Sequence, residues 1–241
     1  IATYHFAPTE INKLNLEIEN VNKNIYITGN TVIDSFKTTV KDEYYFKNKL
    51  LSKIDFINHR VIVVTAHRRE NLGKPLENIC KAIKRIAKKY LDVIFLYPVH
   101  MNPDVQNTVY RFLRDINNVE LVEPLDVLDM HNLLFRCYMV MTDSGGLQEE
   151  APFFGKPVLV LRTETERPEA VKAGTVKVIG ISEENIYCEA SKLLDDKNIY
   201  EHMAHAVNPY GDGHASERIV KVLLDCVQNN TLSITKKYNF K

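Results

Sequence analysis

The most informative part of this sequence is Tyr138-Met139-Val140-Met141-Thr142-Asp143-Ser144-Gly145-Gly146-Leu147-Gln148-Glu149-Glu150. Its apolar beginning predicts a buried strand over residues 138–142, and the part from Leu147 to Phe154 predicts a helix. The sequence Ser144-Gly145-Gly146 then lies on the turn between them. Such a turn directs unpaired backbone N–H groups and the positive end of a helix dipole at one point. Because glycine lets an anion approach the backbone closely, the stretch predicts a phosphate site.

An acidic pair follows the glycines along the predicted helix. Glu149 and Glu150 are placed to contact hydroxyl groups beyond a bound phosphate. The combination favours a nucleoside diphosphate that carries a sugar. In many strand–helix connections glycine is present only because the turn needs its backbone conformation. The interpretation as a nucleotide-sugar site therefore depends on the other loops of the chain.

Strands and helices alternate along the chain. The predicted strands cover residues 25–28, 61–66, 93–97, 119–122, 138–142, 158–161 and 175–178. The predicted helices cover residues 31–40, 76–90, 105–113, 127–135, 147–154, a short stretch near Glu169, 183–194, 199–207 and 215–227. This alternation predicts a mostly parallel, doubly wound α/β sheet with helices on both faces.

Chemically active side chains follow five of the predicted strands. Ligands of such folds bind beyond the carboxyl ends of the strands, so these loops are expected to share one edge of the sheet. The five loops are His67-Arg68-Arg69, Pro98 to Asn102, Pro124-Leu125, the Ser144 turn, and Glu164 to Glu169.

Two of these loops have competing interpretations. His67 is the first polar residue after its strand and is favoured as functional, whereas Glu70 and Asn71 are favoured as caps of the following helix. The cation of Arg167 could bind a diphosphate or could only neutralise its acidic neighbours. His100, in a proline-framed loop, could donate to a phosphate or be an ordinary surface histidine.

Composition bounds the function. The 241 residues are 45% apolar, the formal net charge is zero and the pI is about 7.2, so the charge gives no support for a nucleic-acid or anionic-membrane partner. No apolar run approaches membrane-spanning length.

The first residues lack an initiator Met and a signal-peptide pattern, so we expect the chain to begin inside a longer protein. No His, Cys and Asp cluster has metal-ligand spacing, and the four scattered cysteines predict reduced thiols.

Taken together, the motifs resemble those of the non-hydrolysing UDP-N-acetylglucosamine 2-epimerases. The matching segments occur in the family's order over residues 1 to about 227 and are Phe6-Ala7-Pro8-Thr9-Glu10, Thr28-Gly29-Asn30-Thr31, Thr65-Ala66-His67-Arg68-Arg69-Glu70-Asn71, Tyr97-Pro98-Val99-His100, Thr142-Asp143-Ser144-Gly145-Gly146-Leu147-Gln148-Glu149-Glu150, Thr165-Glu166-Arg167-Pro168-Glu169 and Asn208-Pro209-Tyr210-Gly211-Asp212-Gly213.

The resemblance implies a fold and an activity. The family has a two-domain glycosyltransferase-B fold, of which this chain would be the Rossmann-like C-terminal half. It interconverts UDP-N-acetylglucosamine (UDP-GlcNAc) and UDP-N-acetylmannosamine (UDP-ManNAc) by elimination and re-addition of UDP. The resemblance implies no metal and no other cofactor. It also implies a cytoplasmic homodimer that supplies cell-envelope polysaccharide synthesis.

The resemblance also assigns site residues. Ser144, Gly145 and Gly146 would hold the UDP diphosphate, Glu150 the ribose hydroxyls, and Arg167 would also contact UDP. His67 would be the catalytic histidine near the leaving phosphate. Arg68 and His100 match residues that bind a second, allosteric UDP-GlcNAc in many bacterial members.

One large departure concerns the N-terminal domain, which supplies a lysine, an aspartate and two glutamates in the family. The expected organisation is a segment over residues 1–40 continuing from the missing domain, a UDP-binding domain over residues 41–228 and a polar tail over residues 229–241. We therefore expect the chain by itself to bind UDP without epimerising it. The alternatives are an inactive UDP-sugar-binding module, and a glycosyltransferase or hydrolysing epimerase of the same fold.

Overall fold

The chain divides into two compact units in the computed structural model, which describes residues 2–228. One unit spans Ile1–Lys37 and Tyr210–Lys241, of which residues 2–37 and 210–228 are described, and the other spans Thr38–Pro209. The predicted polar tail lies outside the described residues. The last helix, assigned from the sequence to a domain over residues 41–228, groups instead with the first residues of the chain.

Strands and helices alternate through the described chain as the pattern predicts. In chain order they are β1 (His5–Ala7), α1 (Glu10–Ile18), β2 (Ile25–Ile27), α2 (Thr31–Thr39), β3 (Arg60–Thr65), α3 (Lys74–Lys89), β4 (Val93–Pro98), α4 (Pro103–Leu113), β5 (Val119–Val122), α5 (Val127–Arg136), β6 (Met139–Thr142), α6 (Gly145–Glu150), β7 (Val158–Val160), α7 (Pro168–Ala173), β8 (Val176–Val178), α8 (Glu183–Asp195), α9 (Lys197–Ala204) and α10 (Ala215–Gln228). Short 3₁₀ helices lie at Leu51–Lys53, Arg69–Asn71 and Ala151–Phe154.

The larger unit is built on a six-stranded parallel sheet with the order β5-β4-β3-β6-β7-β8, as seen in the described residues. The chain winds outward from β3 to β5 and then returns to place β6 on the other side of β3. The prediction of a doubly wound α/β sheet is thereby confirmed. The strand order reverses between β3 and β6, which is where such sheets leave a crevice for a ligand.

Both faces of this sheet are covered. Along β3, Ile62 and Val64 belong to a core cluster with α3, α4 and α8, whereas Val61 and Val63 are equally buried and point to the opposite face. Continuous apolar strands are what burial on two sides requires. The predicted apolar face of α3 lies in the core, with Leu76, Ile79, Cys80, Ile83, Ile86 and Ala87 at most 1% exposed.

Within residues 2–37 and 210–228, the smaller unit has a two-stranded parallel sheet, β1 with β2, together with α1, α10 and most of α2. The Asp34 carboxylate on α2 caps α10 by accepting the N–H groups of Ala215 at 3.1 Å and Ser216 at 2.7 Å. Gly29 and Gly211 approach so closely that a Cβ on Gly29 would lie 3.2 Å from the Gly211 Cα. Both have positive φ, so the matching Thr-Gly-Asn and Tyr-Gly-Asp segments meet where only glycine fits.

Hydrogen bonds to α5 and its N-cap fasten the irregular segment over residues 40–59, and the carboxylate of Asp129 accepts three of them. Asp129 is 3% exposed. Its side chain accepts hydrogen bonds from the Tyr44 hydroxyl at 2.8 Å and from the backbone N–H groups of Lys47 at 3.1 Å and Asn48 at 3.0 Å. Burial, followed by this hydrogen bond to Asp129, raises the pKa of Tyr44 to about 12. The segment is therefore held by hydrogen bonds to a buried charge.

We expect Asp129→Ala to lower the free energy of unfolding by about 2–4 kcal/mol, since three donors lose a charged acceptor. Asp126→Ala at the N-cap of the same helix is the matched control, with an expected loss of about 1 kcal/mol because its side chain is more exposed. Urea unfolding measures both values. Equal losses in the two variants would contradict the role of Asp129.

Candidate functional site

The ends of β3 and β6 bring the first predicted site residues together. The two strands are adjacent and parallel, with Thr65 opposite Thr142, so the residues that follow them leave the sheet side by side. The Asp143 N–H donates to the Thr65 carbonyl at 3.1 Å, which continues the ladder by one bond. His67 and Ser144 therefore lie on either side of the point where the strand order reverses.

Asp143 organises the loop after β3. Its side chain is fully buried, and Oδ2 accepts the backbone N–H groups of His67 at 2.7 Å and Arg68 at 2.8 Å. The Asn71 amide donates to the same oxygen at 3.0 Å and to the Leu161 carbonyl at 3.0 Å. Asn71 thus links the loops after β3, β6 and β7, and it is 1% exposed. The prediction that Asn71 is a surface helix cap is wrong, because its amide satisfies a buried carboxylate and a buried carbonyl.

His67 and His100 form a stacked pair. Their ring centroids are 4.9 Å apart and the planes are inclined by 11°. The Asn102 N–H donates to His100 Nδ1 at 3.1 Å, which fixes the orientation of the His100 ring against His67.

The Ser144 turn differs from the predicted helix boundary. α6 begins at Gly145, two residues before the predicted start, with Ser144 as an N-cap whose side chain makes no capping bond. Neither glycine has positive φ, so the backbone conformation does not require them. The neighbouring side chains instead leave little room for a larger residue. A Cβ on Gly145 would lie 3.0 Å from Glu166 Oε1 and 3.3 Å from Arg167 Nη2, and a Cβ on Gly146 would lie 3.2 Å from Glu150 Oε1.

Arg167 lies beside the start of α6. Its Nε donates to Glu149 Oε1 in a short, partly buried ion pair, and its Nη2 lies next to Gly145. The loop that carries it is tied to α6 because the Thr165 hydroxyl donates to Gln148 Oε1 at 2.5 Å and accepts the Arg167 N–H at 3.1 Å. The structure thus combines a guanidinium and a helix N-terminus at one point, while also pairing Arg167 with an acidic neighbour.

Glu150 contacts His131, a residue to which the sequence analysis assigned no functional role. Its carboxylate Oε2 is 3.7 Å from His131 Nε2, and His131 Nδ1 is 2.9 Å from the Thr39 hydroxyl. Burial, with the nearby Glu149 carboxylate second, raises the pKa of Glu150, and burial lowers the pKa of His131. The two oxygens of a carboxylate in this position can accept hydrogen bonds from hydroxyl groups.

Arg68 points away from the histidine pair into a chain of ion pairs. Its Nη2 is 2.5 Å from Glu166 Oε1, Glu166 also pairs with Arg162, and Arg162 Nε is 3.1 Å from Glu70 Oε1. Burial acts to raise the pKa of Glu166, but hydrogen bonds from its own backbone, Arg162 and Arg68 outweigh it and lower that pKa to about 2. Of the two residues matched to an allosteric site, His100 stacks on His67 and Arg68 pairs with Glu166.

Asp143, His131 and Arg162 had no role assigned from the sequence. Glu149, which was expected to contact hydroxyl groups, lies in an ion pair with Arg167. For Asp143 a signal was present, because a carboxylate directly between an apolar strand and a glycine turn has little access to water.

No helix within residues 2–228 is long and apolar enough to cross a membrane. In the same residues, no three His, Cys, Asp or Glu side chains are grouped to hold a metal ion.

Comparison with known proteins gives concordant matches. The family model of UDP-N-acetylglucosamine 2-epimerase matches residues 1–224. The UDP-N-acetylglucosamine 2-epimerase of Bacillus subtilis is 52% identical over 225 residues, which are 93% of this chain and 58% of that protein. The chain spans about three fifths of the length of the curated relatives it matches.

Solved structures agree with this result. An S. aureus protein, MnaA, with bound UDP is 47% identical with a TM-score of 0.87, over 100% of this chain and 64% of its own. The UDP-GlcNAc 2-epimerase of Neisseria meningitidis, bound to UDP-GlcNAc, is 43% identical with a TM-score of 0.84, over 93% of this chain and 62% of its own. From its motifs, its fold and these matches, the chain belongs to the UDP-N-acetylglucosamine 2-epimerase family.

Proposed function

We propose that this chain is the nucleotide-binding part of an epimerase that interconverts UDP-GlcNAc and UDP-ManNAc by elimination and re-addition of UDP. The observation that carries the proposal is the position of Arg167 Nη2 next to Gly145 at the start of α6. A fixed guanidinium and free helix N–H groups at one point make a site for a diphosphate.

The diphosphate would lie against the first turn of α6. Gly145 and Gly146 remove the Cβ atoms that would obstruct it, and the Ser144 hydroxyl, which makes no capping bond, is available as a further donor. The Arg167 guanidinium is held by Glu149 at Nε and by the Glu166 carbonyl at Nη1, and its Nη2 lies beside Gly145 at the turn. The S. aureus and N. meningitidis relatives bind UDP and UDP-GlcNAc, which supports this class of ligand.

Glu150 and His67 would act at the two ends of the diphosphate. Glu150, which is partly buried beside His131, would bind the ribose hydroxyls through its carboxylate oxygens. His67, across the crevice at the end of β3, would stabilise the diphosphate as it leaves the sugar, where negative charge develops in an elimination. Arg68 and His100 would serve a second UDP-GlcNAc, as the resemblance implies, which requires Arg68 to leave Glu166.

The relatives' greater length favours a second candidate for the chain by itself, namely a UDP-binding module without catalysis. The complete protein is proposed to be a cytoplasmic homodimer on the basis of the resemblance. Product analysis distinguishes the remaining alternatives: UDP-ManNAc indicates epimerisation, whereas free ManNAc with UDP indicates hydrolysis.

We expect the double variant Ser144→Ala, Arg167→Ala to bind UDP about 100-fold or more weakly, since each charge-assisted phosphate contact contributes about 1.5–3 kcal/mol. Isothermal titration calorimetry measures the change. Arg85→Ala is the control for the lost charge, because Arg85 on α3 pairs with Glu183 and Glu184 of α8 and packs over the Tyr187 ring. An unchanged affinity in the double variant would refute the assignment of the diphosphate site.

A further inference from the structure

We propose that Asp143 is a positioning residue that fixes the tautomer and orientation of His67. The two oxygens of this fully buried carboxylate are used very differently. Oδ2 accepts three hydrogen bonds, from the His67 and Arg68 backbones and the Asn71 amide. Oδ1 is buried and has no hydrogen-bond partner among the described residues, and His67 Nδ1 lies 3.8 Å from it.

A buried carboxylate oxygen without a donor is costly, so a specific donor is expected nearby. His67 Nδ1 is 3.8 Å away, and an approach of about 1 Å brings it within hydrogen-bond distance. The His67 side chain is 39% exposed, so it has room to turn, whereas Asp143 is held on its other oxygen by three donors. Catalytic hydrogen bonds are often long without a ligand and close when one binds.

The bond would decide what the other nitrogen of His67 can do. When Nδ1–H donates to Asp143, Nε2 is the atom left for the crevice, and the carboxylate stabilises the protonated ring. In the elimination, the bond between the sugar C1 and the β-phosphate oxygen breaks with its electron pair going to that oxygen. The C2 proton leaves to a base that the resemblance places in the N-terminal domain, and the electron pair of the C2–H bond forms the C1=C2 double bond of the glucal. A protonated His67 donates its Nε2 proton to the departing phosphate. This role in the reaction rests on the function proposed above.

The charged and titratable neighbours of His67 are compatible with a positive ring. Asp143 Oδ1 lies 3.8 Å from Nδ1, and the His100 ring stacks against the His67 ring. Arg68, from the same loop, directs its guanidinium to Glu166. Among the described residues, the Asp143 carboxylate is therefore the charged group that faces His67 Nδ1.

The test is ¹⁵N NMR of the histidine rings, with His67 assigned by comparison with His67→Gln. Neutral imidazole side chains in water favour the proton on Nε2. We expect wild-type His67 to carry it on Nδ1 instead when the ring is neutral and UDP is present. This measurement needs no variant at Asp143. A wild-type ring with its proton on Nε2 would overturn the proposal.

Asp143→Asn should reverse the tautomer. The amide oxygen can replace Oδ2 as acceptor for the loop, while the NH₂ group takes the place of Oδ1 and donates to His67 Nδ1. We expect the proton to move to Nε2, with kcat of the complete enzyme falling about 10²- to 10⁴-fold and KM changing much less. An unchanged tautomer, or a reversed tautomer with unchanged kcat, would contradict the positioning role.

Asn71→Ala is the matched control, since it removes a donor from the same carboxylate without facing Nδ1 of His67. It should destabilise the loop and leave the tautomer of His67 as in the wild type. A reversal in this variant would show that the tautomer follows loop integrity, and the proposal would fail. Absence of UDP binding or epimerisation in the wild type would refute the proposed function separately, since the tautomer is measured on the ring itself.

Discussion

Replacing His67 by alanine or asparagine is expected to reduce the turnover of the complete enzyme by about 10²- to 10⁴-fold, the usual contribution of a positioned acid or base. His67 leaves β3 at the crevice, stacks on His100 and faces a buried carboxylate. The Asp143 carboxylate is placed to stabilise a positive charge on this ring when phosphate leaves. UDP affinity should change far less, because the Ser144 turn and Arg167 remain.

Steady-state epimerisation and UDP calorimetry, done on the same preparations, separate the two effects. His205→Asn is a suitable control, since the His205 side chain is 80% exposed and pairs with Glu201 on the surface of α9. Turnover within about threefold of wild type in His67→Ala would assign His67 a structural role, because a lost acid or base costs far more. A parallel loss of UDP affinity would instead make His67 a binding residue.

Local pattern was sufficient to predict the sheet and most helices. β5 at Val119–Val122 matches its predicted range, and α3 buries the side chains that its period predicts. These elements are long or apolar enough for periodicity to dominate. β1 and α1 were not predicted, because β1 has three residues and is stabilised by β2, which follows it by about 20 residues. Pairing of that kind leaves no local periodicity to detect.

The helix at the Ser144 turn shows a different limit. Glycine disfavours helix, so the sequence predicted a start at Leu147, whereas α6 begins at Gly145. The helix includes both glycines because Glu166, Arg167 and Glu150 occupy the space that larger side chains would need. The geometry of the site therefore overrides local propensity at the residues nearest the proposed ligand.

The candidate site was predicted as a set of loops but not as a set of contacts. Parallel strands bring their carboxyl ends together, so His67, Ser144 and Arg167 could be placed on one edge from strand positions alone. The bonds from Asp143 to Asn71, 72 residues away, and from Glu166 to Arg68, 98 residues away, depend on strand order and rotamers. Neither is encoded in a local pattern, which is why Asn71 was assigned to the surface.

The 241-residue chain is expected to bind UDP and yet to leave the C2 proton of UDP-GlcNAc in place. A general base must lie within hydrogen-bond reach of that proton. Three of the carboxylates around the crevice are engaged: Asp143 with three donors, Glu149 with Arg167, and Glu166 with two arginines. A Glu166 pKa of about 2 makes it a weak base. The resemblance places the acid and base in a part that the relatives have in addition.

Deuterium exchange at C2, followed by NMR in heavy water, measures this directly. The expected rate is more than about 10⁴-fold below that of the complete enzyme, because the base is missing and the glucal intermediate would be open to water. UDP calorimetry on the same sample shows whether the site is formed. Glu150, whose pKa is raised by burial, is the carboxyl group of the rim best suited to accept a proton. Exchange that is present in the chain and lost in Glu150→Gln would make Glu150 the base and refute this account of the chemistry.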